Sequence, residues 1–88
     1  MKLNENFALR HLAGNWVAIP LGHAAVDFTG ILSLNDSGAM LWNVLAAGGE
    51  REDLVNKLTE EYAVSREIAV ADVEEFITKL VNAGCLTE

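Results

Sequence analysis

The sequence predicts an α+β domain of winged helix-turn-helix-like architecture: an N-terminal antiparallel sheet of three strands, with a fourth left open, followed by three helices. Three observations predict it. Strand-like alternation of apolar residues is confined to the first 34 positions, and apolar residues recur at helical spacing from residue 36 onward. The change of period happens inside "LSLNDSGAMLW", residues 32–42, with no linker between the two regimes.

The first strand is "FALRHL", in which Phe7, Leu9 and His11 face one way and Ala8, Arg10 and Leu12 the other. "AGN" then supplies a turn, Gly14 being able to take positive φ, and "WVAIPL" returns as the second strand. Pro20 cannot donate to a ladder, which places it at an edge or a strand exit. Residues 24–34, "AAVDFTGILSL", read either as a second hairpin turning at Thr29 and Gly30 or as one strand over 29–34.

Asn35 ends that strand and caps the first helix, and Asp36 adds negative charge where the helix dipole favours it. Ala39, Leu41, Trp42 and Leu45 form its apolar stripe, Gly38 sits where a side chain would crowd the packing partner, and Gly48 and Gly49 stop it. The second helix spans about residues 50–62, with Leu54, Val55, Leu58 and Tyr62 on one face. Ser65 caps the third, which runs to Gly84 with Glu67 near its start. At about 100° per residue, its apolar residues from Ala69 to Ala83 cover an arc of roughly 160°, wider than a single core contact requires. Val73, Leu80 and Phe76 mark the centre, and Val70, Ile77 and Val81 lie on one flank beside Glu74.

With 88 residues the chain is one domain, residues 1–88, and folding at this size hides only about 60–65% of the unfolded surface. Nearly every apolar residue is therefore needed in the core. No apolar run reaches the ~18 residues of a membrane span, and the N-terminal segment lacks the apolar stretch of a secretory signal, so a cytoplasmic protein without membrane contact is expected. Cys85 is the only cysteine, which excludes an internal disulfide and suits a small apolar residue. A net charge of −7 opposes binding to a phosphate backbone, so no nucleic-acid partner is expected.

Catalytic patterns are missing. His11 and His23 share no metal-ligand spacing with each other or with Cys85, and no nucleophile elbow, phosphate loop or dinucleotide fingerprint occurs. Glu60/Glu61 and Glu74/Glu75 are sequence neighbours, which point about 100° apart on a helix and do not face each other. Neither a catalytic site, a metal site nor a cofactor is expected.

The segments "GILSLNDSGAMLWNVL", "EDLVNKLTEEYAVS" and "ADVEEFITKLVNAGCL" resemble the PqqD family of RiPP recognition elements. Within them the likeness rests on "LSLN" followed by Gly38, Ala39 and Trp42, on Leu54, Val55, Leu58 and Tyr62, and on Asp72, Val73, Phe76, Leu80 and Gly84. The resemblance implies a non-catalytic domain that binds the leader segment of a ribosomally made precursor peptide and presents it to a modifying enzyme, often a radical SAM enzyme of the SPASM type with auxiliary iron–sulfur clusters. It also implies that the leader adds as a strand to the sheet edge and lies against the third helix. On the helical wheel, the expected template is residues 25–33, with Ala25, Val26, Asp27, Phe28, Ile31 and Ser33 as contacts. The expected opposite wall is Val70, Glu74, Ile77 and Val81. Other readings of the same pattern are a winged-helix DNA-binding regulator, a docking subunit of a larger protein, and a homodimer paired through the exposed sheet edge.

Overall fold

A computed structural model describes residues 1–22 and 32–88. In chain order its elements are β1 (Lys2–Leu3), β2 (Phe7–Leu12), β3 (Asn15–Pro20), β4 (Leu32–Leu34), α1 (Asp36–Ala46), α2 (Arg51–Glu61), α3 (Arg66–Asn82) and β5 (Leu86–Thr87). The expected α+β order, sheet first and three helices after it, is what the chain adopts. The second hairpin expected at Thr29 and Gly30 lies outside the described residues.

β2 and β3 pair antiparallel from Phe7↔Pro20 to Leu12↔Asn15, which leaves Ala13 and Gly14 as a two-residue turn. Both have positive φ, 50° and 81°, because a turn of that hand matches the twist of the strands it joins. Gly14 adopts the conformation freely; Ala13 carries a Cβ and is strained there. Pro20 stands where β3 ends, the position its missing N–H allows. β4 pairs antiparallel with the other side of β3, Trp16↔Leu34, Val17↔Ser33 and Ala18↔Leu32, giving the order β2-β3-β4. Ala18 on the central strand is fully buried, and its small side chain leaves room for the core packed over it.

A separate two-stranded sheet, which the sequence did not suggest, joins the two ends of the described chain. β1 pairs with β5 through Lys2↔Thr87 and Leu3↔Leu86. Asn4 fastens the join: its main-chain N–H donates to the Cys85 carbonyl at 2.7 Å and its side-chain amide to the Gly84 carbonyl at 3.1 Å.

The core is built from the predicted stripes. α1 buries Ala39, Leu41, Trp42 and Leu45, α2 buries Leu54, Val55 and Leu58, and α3 buries Ala69, Val73, Phe76, Ile77 and Leu80. Tyr62, expected on the inner face of α2, is instead 42% exposed. It follows the last helical residue with extended backbone, φ −129° and ψ 148°, so helical spacing no longer sets its direction. Cys85 is buried among apolar groups, and that burial pushes its thiol up to about 11. No polar or charged side chain is buried among the described residues, so the interior stability is apolar burial, about 1.5–3 kcal/mol for each fully covered large side chain. Among these residues no helix is long and apolar enough to cross a membrane.

Candidate functional site

The junction of β4 and α1 organises the site. Asn35 is extended, φ −81° and ψ 179°, and its side-chain oxygen accepts from the Gly38 N–H at 2.8 Å and from the Ser37 hydroxyl at 2.9 Å. One side chain thus ends the strand and satisfies a free donor of the helix. Asp36, in the first turn, accepts from the Trp16 indole N–H at 3.1 Å, which ties the start of α1 to the neighbouring strand. Trp16 in turn stacks on His11, ring centroids 4.3 Å apart. Gly38 is needed for closeness: a Cβ there would lie 3.2 Å from the Asn35 side-chain oxygen and 3.3 Å from Leu34 Cβ. The strand end and the helix start are therefore held as one piece.

Across from this junction runs α3, started by Ser65, whose hydroxyl accepts from the Ile68 N–H at 3.2 Å. Between them lies a cleft of about 310 Å³, with Leu34, Gly38, Leu41, Leu58 and Phe76 as its apolar lining and Asn35, Ser37, Asp72, Glu75 and Lys79 as polar groups. Lys79 reaches over it and donates from Nζ to the Ser33 carbonyl at 3.0 Å. That contact fixes the direction of the Ser33 main chain. Its carbonyl points away from β3 toward α3, and in an antiparallel ladder the N–H of the same residue shares that outward side. Among the described residues β4 pairs only with β3, and none of them pairs with this outward side, which faces α3.

Of the residues expected to form the site, Ser33 stands on that edge. Ala25, Val26, Asp27, Phe28 and Ile31 lie outside the described residues. The residues of the expected helical wall lie apart from this cleft. Ile77 is 2% exposed and belongs to the core, so it lines no groove. Glu74 faces the other way, pairing at 2.7 Å with Arg51, which also binds Glu88. Hydrogen bonding to Glu88, reinforced by Glu74, holds the Arg51 pKa above its ordinary value. Val70 and Val81 are exposed, at 41% and 37%, and take no part in the cleft. The physical reason is rotational: Val73 and Leu80 mark the axis of burial, and Phe76 and Ile77 stand roughly 40–50° to either side of it. The flank beyond Phe76 faces the strand edge, and the flank beyond Ile77 faces α2 and solvent. Asp72, Glu75 and Lys79, which the expected wall did not include, line the cleft instead; Asp72 had entered only through the family resemblance, and Glu75 and Lys79 had no signal but their position on the Phe76 side.

The arrangement offers main-chain pairing on one side, an apolar lining beneath, and charged side chains along the helix. Among the described residues no group of three or more His, Cys, Asp or Glu side chains is placed to hold a metal ion. The chemistry it supports is recognition of an extended chain.

Comparison with known proteins gives one family and one fold. The family model described as "Coenzyme PQQ synthesis protein D (PqqD)" matches residues 22–86. No curated protein matches. Among solved structures, TbiB1 in complex with the TbiA(beta) leader peptide is similar at 24% identity with a TM-score of 0.80, over 98% of this chain and 94% of that one. Lasso peptide synthetase B1 complexed with the leader peptide is similar at 23% identity with a TM-score of 0.79, over 99% and 96%. At such identities the likeness shows that the fold is shared.

Proposed function

The chain belongs to the PqqD family, and on that premise we propose that it binds the leader segment of a ribosomally made precursor peptide by strand addition along the outer edge of β4. The observation that carries this reading is the outward Ser33 carbonyl, facing α3 over a cleft that combines Leu34, Leu41, Leu58 and Phe76 with polar and charged side chains. Backbone pairing supplies affinity that is indifferent to sequence, and the apolar lining selects side chains on alternate positions of the guest. The domain itself is non-catalytic. It presents the bound leader to a separate modifying enzyme, of the radical SAM class that the family resemblance implies; the two similar solved structures are leader-bound proteins of which one is named a lasso peptide synthetase.

The test is titration of isotope-labelled protein with synthetic leader peptides of ribosomally made precursors, followed by NMR. Contacts between peptide main chain and the amides of Leu32–Leu34, abolished by Ser33→Pro, are the expected result. Pairing along β2, the other edge of the three-stranded sheet, would refute the proposed site. Micromolar binding to duplex DNA at low salt, with no peptide binding, would favour the regulatory reading that the net charge of −7 opposes.

A further inference from the structure

An open strand edge is a hazard because it pairs with any extended chain, and lysine near an edge is one of the ways proteins blunt it. Here the lysine is placed on the edge itself. Lys79 donates to the Ser33 carbonyl, the acceptor that an added strand would use. A second observation makes the contact informative. Glu75 stands four residues before Lys79 on the same helix, the order that favours an ion pair, and among the described residues it has no ion-pair partner. The less favourable order, Lys57 before Glu61, does pair, at 3.3 Å. Lys79 thus forgoes the local carboxylate for the strand edge, while that carboxylate remains within the same cleft.

We infer that Lys79 is the guard of the binding edge: it holds the Ser33 carbonyl while the cleft is empty and moves to Glu75 when a guest main-chain N–H takes its place. The inference rests on the strand-addition reading and assigns a positioning role to two residues within it. Because both resting places of the ammonium are on the surface, the exchange demands little energy. The guard therefore discourages chance pairing without barring a guest that also fills the apolar lining. Glu75 acts as the landing place that keeps the displaced charge from remaining unpaired beside the guest.

The experiment uses a fluorescein-labelled extended peptide selected by display on the wild-type protein and retained only if Ser33→Pro abolishes its binding. Lys79→Met, which keeps a stem of similar length but removes the donor, is expected to tighten binding about three- to tenfold. Glu75→Gln is expected to weaken it about two- to threefold in the wild type and to have no effect in the Lys79→Met background. Lys79→Arg, which retains a donor, stays near wild type. Without peptide, Lys79→Met should shift the Ser33 carbonyl carbon resonance. Weaker or unchanged binding by Lys79→Met, additive effects of the two substitutions, or an unmoved Ser33 carbonyl overturns the guard. If no selected peptide is sensitive to Ser33→Pro, strand addition itself fails and the guard falls with it.

Discussion

The two flanks of α3 present opposite solutions to the same packing problem. Beyond Ile77 the helix is apolar in sequence, yet Ile77 is sealed in the core, Glu74 is engaged by Arg51, and Val70 and Val81 meet solvent singly. Beyond Phe76 it is polar, with Asp72, Glu75 and Lys79, and this is the flank that faces the side of β4 that no described strand covers. The difference teaches that a helix flank turned toward an empty edge must be compatible with main-chain donors and with water. An apolar flank in that place would collapse onto the sheet and close the slot.

The contrast is broken most forcefully at Ile77. Ile77→Glu places a charge in a closed apolar core and is expected to cost more than about 4 kcal/mol, enough to unfold a domain of this size. Val81→Glu, one turn on, should cost less than about 0.5 kcal/mol. Urea denaturation of both variants measures the gap, and similar midpoints would mean that the flank is not closed at Ile77.

The buried region behind the end of α3 can be stressed by pH instead. Cys85 has its thiol raised from 9.0 to about 11 by burial. Above pH 9 the unfolded chain releases that proton and the folded chain keeps it, so stability falls as pH rises from 9 toward 11. The loss should reach about 2 kcal/mol relative to Cys85→Ala followed over the same range. A thiol reagent should react with the folded protein only as fast as the protein opens.

On the open side the expected effects are smaller in stability and larger in binding. Asn35→Ala removes the cap of α1 and should cost about 1 kcal/mol in denaturation. It should also weaken leader binding by more than that loss of stability explains, since β4 and α1 would no longer be held as one piece. Smallest of all, Val70→Ser and Val81→Ser should change stability by less than about 0.5 kcal/mol and leave peptide affinity unaltered. A clear loss of affinity in either would restore the apolar flank as the binding wall.

Much of the fold was legible in the residues, and the limit falls at an identifiable place. Asn35, Asp36 and Gly38 announce the strand-to-helix junction because capping and close packing demand those residue types locally. The axis of burial on α3 was equally readable from Val73 and Leu80. Which shoulder would face the sheet edge was not, since Phe76 and Ile77 are both large, apolar and nearly symmetric about that axis. Only the packing of α2 and the placement of β4 decide between them. β1 and β5 escaped notice because two residues carry no period. Ala13 escaped because nothing in an alanine signals a positive φ.

The clasp of β1 with β5 sets Lys2 opposite Thr87, main chains only about 4.5–5.5 Å apart as in any antiparallel pair. Neither residue borders the cleft beneath Ser33 and α3. A label carried on Lys2 or Thr87 would therefore sit at one corner, away from the lining of the slot. A cystine engineered in place of these two residues would lock that corner while touching none of the groove's lining.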